Sequence, residues 1–338
     1  MAPATPSRRL PKSNFHRTLA SDGPVSAAPL DEAAPHRGAE RQASNFTHPE
    51  HSVPPRSYHE AETLVIVCCH AIFHPDASSP TFPLSSPFDE SNWHLASFQR
   101  SDPETGKPGE HETFLGHISA GMDTLTSGAE TGGNLLVFSG GATKAALTPL
   151  SEARSYYNAA LALAIYSGQH GGGDAAELFD QGRILLEERA TDSFQNLLFS
   201  IVLFRQITGH YPKDIRIITH AFKSKRFLDL HGPAISWPSD KIRVQGIDPI
   251  MSEAEYHDTV SGEERFGYKP FEEDCLGTGE LLSRKRSQRG WKAETARELG
   301  ANLEESVQQL LQGKHVKELP WSEARFEKPE RLDSLSAR

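Results

Sequence analysis

The sequence has few cysteines and no long hydrophobic run. It contains only three cysteines in 338 residues, and Cys68 and Cys69 are adjacent within a predicted strand, where their side chains point to opposite faces. We therefore expect reduced thiols, as in a cytoplasmic protein, rather than a disulfide framework. The longest apolar run, from Leu64 to Phe73, is interrupted by His70 and reaches about half of the roughly 20 residues that a membrane-spanning helix needs. No membrane span is predicted.

Positive charge is also scarce. The formal net charge is -10 at pH 7, and no segment is basic enough to follow a phosphate backbone, so nucleic acid is not an expected partner. The first 21 residues are an exception, because they carry four basic residues and no acid, the charge bias of a mitochondrial transit peptide. Three prolines among the first 11 residues oppose the amphipathic helix of such a peptide. We expect a cytoplasmic location, with a mitochondrial one as the alternative.

The local signatures of the common enzyme classes are missing. The chain has no P-loop, no Gly-x-Gly-x-x-Gly, no Gly-x-Ser-x-Gly elbow and no paired Cys-x-x-Cys of zinc spacing. It has 16 histidines, but no His-x-His or His-x-x-x-His pair falls on a predicted helix or strand, so no metal site is assigned. Function must therefore be inferred from residues that the fold brings together.

Composition divides the chain into four parts. Residues 1–58 hold nine of the 23 prolines and few large apolar residues, too little apolar surface to offset the entropy of ordering, and are predicted to be a disordered arm. Residues 59–250 form the main domain, with a lid-like insertion at about 74–112 in which Trp93, Leu95 and Phe98 are expected to pack partly on the core. Residues 251–315 are predicted to be a helical extension packed on the same domain, and residues 316–338 a flexible tail.

Within the main domain, five short apolar segments alternate with segments of helical periodicity. Apolar runs without polar alternation are typical of parallel strands that are covered on both faces. The predicted strands are Thr63–Cys69, Asn134–Ser139, Arg183–Glu187, Asp214–Thr219 and Lys241–Gly246, and the predicted helices are Phe114–Ser127, Ser151–Ser167, Ser193–Gly209 and Phe222–His231. This order predicts an α/β fold: a three-layer, Rossmann-like domain with a mainly parallel sheet of about five strands and helices on both faces.

The carboxyl ends of parallel strands are where open α/β sheets bind ligands. The second predicted strand runs into Ser139-Gly140-Gly141, and Ser151-Glu152-Ala153 then opens a helix. The glycines would let backbone N–H groups approach a ligand, and the Glu152 carboxylate would lie near a helix start. The alternative interpretation is a tight turn followed by an N-cap.

Two further strand ends are polar. After the third predicted strand, Asp192 and Gln195 have the spacing of a capping box, which leaves Asn196 as the better functional candidate. After Thr219, Lys223 and Arg226 are three residues apart and would share one face near a helix start, where an anion is favoured. A solvated basic surface is the alternative for these two cations.

These segments, in this order, resemble the YdcF-like family, a domain family of unknown function that also includes SanA and ElyC. The resemblance covers about Thr63 to Gly246. It implies a Rossmann-like parallel sheet with a polar pocket at its carboxyl edge, and it suggests a nucleotide-like or S-adenosylmethionine-like ligand without a settled reaction. Three departures stand out: Cys68-Cys69-His70 replaces a Gly-rich turn, Gln195 replaces a Glu, and Lys223 replaces a His for which the nearby His220 is a substitute.

Two main hypotheses follow. The first is a hydrolase or transferase that acts on a phosphorylated or otherwise anionic small molecule, with Glu152 as general base and the two cations as electrostatic clamps. The second is a non-catalytic ligand-binding or regulatory module, which the departures at Gln195 and Lys223 favour. A methyltransferase-like role and an interaction protein remain open as well. The predicted ligand-binding residues are Ser139, Gly140, Gly141, Asn196, Thr219, Lys223 and Arg226.

Overall fold

The structure, a computed structural model, describes Tyr58 and residues 60–74, 85–127 and 133–322. All of these residues belong to one compact unit. The predicted disordered arm, apart from Tyr58, lies outside the described residues, as do part of the predicted insertion and residues 323–338.

A five-stranded parallel sheet forms the centre of the fold. The strands, in chain order, are β1 (Thr63–Cys68), β2 (Ile72–Phe73), β3 (Trp93–His94), β4 (Asn134–Ser139), β5 (Ile184–Glu187), β6 (Asp214–Thr219) and β7 (Ile242–Gly246). The sheet order is β5-β4-β1-β6-β7, and every neighbouring pair is parallel. The short β2 and β3 pair with each other in an antiparallel ribbon. The predicted sheet is confirmed.

Helices cover both faces of this sheet. They are α1 (His111–Ser127), α2 (Glu152–Tyr166), α3 (Gly173–Asp180), α4 (Ser193–Thr208), α5 (Gly232–Ala234), α6 (Glu253–Glu263), α7 (Lys269–Glu273), α8 (Glu280–Gln288), α9 (Ala293–Gly300) and α10 (Glu305–Leu311). The predicted helix at Phe222–His231 is instead a 3₁₀ turn, Ala221–Lys223, followed by a π-helical turn, Arg226–His231. In the described part of the chain, no helix combines the length and apolar character needed to cross a membrane.

The pleat of β1 divides the core into two clusters. Leu64 and Ile66 contribute to the cluster under α4, whereas Val65 and Val67 contribute to the cluster under α1 and α2. Successive side chains of a strand point to opposite faces, so an uninterrupted apolar strand fills both. The result is the predicted three-layer arrangement, with helices on each side of the sheet.

The insertion packs on the core only in part. Trp93 and Leu95 are buried, as predicted, but Phe98 is 69% exposed, so its predicted packing on the core is wrong. Phe98 lies in a short 3₁₀ turn, Ser97–Gln99, where Gln99 is the residue that turns inward.

The C-terminal segment shares the core under α4. Phe271, Leu282 and Val307 belong to the same buried cluster as Phe199 of α4. The chain stays packed beyond residue 316, because Trp321 is 3% exposed and its indole Nε1 donates to the Ile235 carbonyl at 2.8 Å. The predicted flexible tail is therefore wrong as far as Trp321, where a large apolar ring outweighs the polar composition around it.

We expect Trp321→Ala to lower the free energy of unfolding by about 3–5 kcal/mol, because it removes a large buried side chain and a buried hydrogen bond. Urea denaturation followed by circular dichroism measures this loss. The control is Leu281→Ala on α8, where the side chain is 56% exposed and a change within about 0.5 kcal/mol is expected. Equal effects of the two substitutions would contradict the packing described here.

Candidate functional site

A cavity of about 700 Å³ opens at the carboxyl edge of the sheet. Its floor is formed by residues that follow β1 and β6, including His70 and His220, and one side is the N-terminal turn of α4. Its other walls come from the insertion, from α6 and from α8, which contribute Glu110, Glu263 and Lys285. A volume of this size suits a small-molecule ligand.

The predicted site residues divide between the cavity wall and the layer behind it. Five line the cavity: Glu152, Asn196, Thr219, Lys223 and Arg226. The other three, Ser139, Gly140 and Gly141, are buried behind that wall. Contact of the five lining residues or of Ser139 with a ligand stays a prediction.

Ser139 supports the site from behind. It is fully buried, and its hydroxyl donates to Glu187 Oε2 at 2.7 Å and lies 3.2 Å from Asn196 Oδ1. Glu187 also accepts the backbone N–H of Arg189 at 2.7 Å and that of Ala190 at 3.1 Å. Burial raises the pKa of Glu187 to about 7, although these hydrogen bonds act in the opposite direction. Through these hydrogen bonds, Ser139 and Glu187 hold the loop after β5 against the end of β4.

Gly140 and Gly141 allow close packing between loops. A Cβ on Gly140 would lie 2.9 Å from Glu152 Cβ and 3.0 Å from Cys69 Cβ, and one on Gly141 would lie 2.9 Å from the Ala190 carbonyl oxygen. The Gly140 N–H donates to the carbonyl of Glu187, the last residue of β5, at 2.9 Å, and the Gly141 N–H donates to the carbonyl of Ala190 in the following loop at 2.7 Å. The expectation that these N–H groups face a ligand is thus wrong, because these carbonyls already occupy them.

Glu152 is a buried carboxyl group that lines the cavity. It is the first residue of α2, which Ser151 caps by accepting the Arg154 N–H at 2.9 Å. Its side chain is buried, and Oε1 accepts a hydrogen bond from the Thr143 hydroxyl. Burial raises the pKa of Glu152 to about 7, partly offset by that hydrogen bond and by Arg289. A carboxyl group with this pKa can both accept and donate a proton near neutral pH.

Five cationic side chains line the cavity, and we call four of them the cationic wall: Lys223, Arg226, Lys285 and Arg289. The fifth is Lys107. Arg226 Nε lies 3.2 Å from Glu263 Oε1, and both side chains are almost fully buried. Arg289 donates to the Thr191 carbonyl at 2.7 Å. Burial lowers the pKa of Lys285, and Arg289 and Arg226 lower it further. Glu263 is the carboxylate in direct contact with this cluster, and Asp192 also acts electrostatically on Arg226 and Lys285.

Three buried histidines lie beside these cations. The ring centroids of His70 and His220 are 4.6 Å apart, and those of His117 and His220 are 5.0 Å apart. Burial lowers the pKa of each, to about 4 for His117, so all three are neutral at pH 7. Neither ring nitrogen of His220 has a hydrogen-bond partner among the described residues. Across those same residues, no group of three or more His, Cys, Asp or Glu side chains is arranged to hold a metal ion.

Several residues of the cavity were missed by the sequence interpretation. Lys285 and Arg289 come from the predicted helical extension, and Phe98 and Glu110 come from the insertion. The i, i+4 spacing of Lys285 and Arg289 is the one available signal, since it puts both cations on one face of a helix. Nothing in the local sequence indicates that this face meets the sheet edge.

Comparison with known proteins gives one relative. The chain is similar to Uncharacterized protein YOR238W of Saccharomyces cerevisiae, with 28% identity over 312 residues, which cover 79% of this chain and 99% of the yeast protein. No protein-family model matches the chain. No solved structure matches it either. The name of the yeast protein states no activity, so function has to be argued from the geometry of the cavity.

We expect Glu152→Gln to stabilise the protein increasingly as pH rises from about 4.5 to about 7. Below 4.5 the carboxyl group is neutral in the folded and unfolded states, whereas above 7 the folded protein must bury its charge. The gain at pH 7 should be on the order of 1–3 kcal/mol, since one pKa unit corresponds to about 1.4 kcal/mol. Urea denaturation across this pH range measures the difference between the variant and the wild type.

Glu253→Gln is the control, because the Glu253 side chain is 93% exposed. It should give a difference from wild type that does not change over the same range. A similarly flat difference for Glu152→Gln would show that its carboxyl group titrates as it does in water.

Proposed function

We propose that this protein binds an anionic, nucleotide-like small molecule at the carboxyl edge of its sheet and acts on it as a hydrolase or transferase of a phosphorylated substrate. The observation that carries the proposal is the shared cavity of Glu152 and the four cations. A proton-transfer group and a binding site for negative charge are the two parts that such a reaction requires.

The cationic wall favours an anion. Burial lowers the pKa of Lys285, and the positive charges of Arg289 and Arg226 lower it further. Glu263 offsets the charge of Arg226 at 3.2 Å, but a further negative group would relieve the rest. A phosphate group offers several acceptor oxygens, and its hydrogen bonds to charged donors are stronger than those between neutral groups.

Glu152 supplies the acid–base part. As a carboxylate it would accept the proton of an attacking water or hydroxyl while the cations stabilise the charge of the group being transferred. Its pKa of about 7 gives both protonation states at physiological pH. The Thr143 hydroxyl holds Oε1, so the carboxyl group is oriented before a substrate arrives.

Aromatic side chains support the nucleotide-like part of the proposal. Phe98 and Phe266 line the cavity yet are 69% and 64% exposed, which places them towards its mouth. Exposed rings at a polar cavity offer faces on which a planar base stacks. An S-adenosylmethionine-like ligand, as suggested by the YdcF-like resemblance, has the same planar base. Membership in that family stays a prediction.

A non-catalytic ligand-binding module is the second candidate. It is favoured by Gln195, which stands where the YdcF-like pattern has a Glu. The Gln195 side-chain oxygen accepts the Thr191 N–H at 2.8 Å and the Thr191 hydroxyl at 2.7 Å, so it serves the loop rather than a substrate. The buried Cys68 thiol adds no nucleophile, because burial raises its pKa to about 12.

Lys285→Met should weaken binding of inorganic phosphate about tenfold, because it removes one charged donor from the cationic wall. Isothermal titration calorimetry at fixed ionic strength measures the Kd. Arg284→Met is the matched control, since it removes the same charge from the neighbouring position of α8, outside the cavity. An equal increase in Kd for both variants would mean that phosphate affinity depends only on the overall charge of the helix.

Glu152→Gln should lower kcat on an accepted phosphoester by roughly 10²–10⁴-fold, the usual contribution of a general acid or base. A panel of phosphoesters that includes nucleotides is assayed for phosphate release. Phosphate affinity should stay within about twofold, because Gln keeps the shape of the side chain. Glu188→Gln, in the loop after β5 and outside the cavity lining, is the control. Phosphate binding without turnover of any panel member would favour the non-catalytic module.

A further inference from the structure

Lys223 has an unusual setting for a cation of the cavity wall. Its Nζ lies 3.4 Å from His70 Nδ1, a long hydrogen bond, and no ion pair among the described residues includes it. Glu263 is in direct contact with Arg226 instead. A protonated amine has three N–H donors and normally finds acceptors for them. The surroundings of Lys223 therefore stabilise the protonated amine less than water does.

The charged and titratable groups around Lys223 come from several elements of the cavity. They are Arg226 and His220 on its own segment, Cys68 at the end of β1 and His70 after it, Glu110 and His117 from the α1 side, Glu152 from α2 and Glu263 from α6. Burial and, to a lesser extent, Arg226 lower the pKa of Lys223 to about 8, against the opposite effect of Glu263 and Glu110. A desolvated lysine next to a second cation is a recognised way to obtain a nucleophilic amine.

We propose that Lys223 is a nucleophile that forms an imine with the carbonyl carbon of an anionic aldehyde or ketone. The negative group of this ligand would bind Arg226, Lys285 and Arg289. The anionic character of the ligand therefore rests on the anion site of the proposed function. The covalent step does not depend on phosphoryl chemistry. It assigns Lys223 a reactive role in place of a permanent point charge.

The step balances without an oxidant or a reductant. The nitrogen lone pair forms a C–N bond to the carbonyl carbon, the C=O π pair moves to oxygen, and that oxygen takes up a proton to give a carbinolamine. The nitrogen loses a proton, its lone pair forms the C=N double bond as the C–O bond breaks, and the hydroxyl takes up one proton and leaves as water, which gives the protonated imine. His70 Nδ1 is placed to accept a hydrogen bond from the amine. Glu152, which interacts electrostatically with Lys223, is the group that can protonate the departing hydroxyl.

Reductive trapping of the full-length protein tests this inference. The probe is pyridoxal 5′-phosphate, a phosphorylated aldehyde, followed by borohydride reduction and peptide mapping by mass spectrometry. We expect the label on Lys223, at least tenfold above that on Lys225, at pH 7.5. Lys225 is the internal control, because it is exposed, lies two residues away and places its ammonium 5.5 Å from the Tyr268 ring centroid. Lys223→Met should abolish the label, and Lys225→Met should leave it unchanged.

The pH profile and a second probe separate the possible outcomes. Labelling of Lys223 should rise with a midpoint near pH 8, whereas an ordinary lysine has a midpoint above about pH 10. Labelling confined to exposed lysines, or a midpoint near that of Lys225, would overturn the proposal. The peptide map of the wild-type protein gives both the labelled position and the midpoint of its pH profile, even if Lys223→Met fails to fold. Labelling of Lys223 by uncharged propanal but not by pyridoxal 5′-phosphate would support the reactive amine and contradict the anionic ligand.

Discussion

The parallel pairing of β1 with both of its neighbours is the constraint on which the site depends. Val67 pairs with Phe138 of β4 and with Ile218 of β6, and Cys68 pairs with Ser139. A shift of one residue would turn every side chain of β1 to the wrong face. Because Leu64–Cys68 are at most 1% exposed, both faces specify the register. The polar residues that follow the three strands therefore reach the same edge of the sheet.

Charged side chains lie close together at that edge, where they are poorly solvated. Their charges are either paired with an opposite charge or destabilised, which shifts the pKa. Arg226 and Glu263 pair at 3.2 Å, which offsets the desolvation of both ions. Within the part of the chain that the structure describes, neither Glu152 nor Lys223 forms an ion pair, and burial moves their pKa values towards each other, to about 7 and about 8. Desolvation disfavours the charged form of either group, so protons can exchange within the cavity near neutral pH.

The strands were largely predictable, and much of the cavity was not. The predicted bounds of β1, β5 and β7 differ from the observed ones by one residue at one end, because buried parallel strands require uninterrupted apolar runs. Thr219, at the end of β6, was predicted and lines the cavity, whereas Cys69 and His70, which follow β1 and also line it, were not predicted as site residues. The far wall depends on how α8 packs against α4, through contacts such as Leu282 in the cluster of Phe199. Such long-range packing has no local signature, and the same holds for the buried Trp321.

Two buried carboxyl groups with similar pKa values lie at this edge, and their partners distinguish their roles. Glu187 accepts one hydroxyl and two backbone N–H groups, so its oxygens are occupied by the loop that they position. Glu152 has the Thr143 hydroxyl on one oxygen and lines the cavity, whereas Glu187 does not. A proton taken up by Glu187 would break contacts that hold β4 and β5 together. A proton taken up by Glu152 costs no such contact, and this difference is why the proposed reaction assigns the acid–base role to Glu152 and a structural role to Glu187.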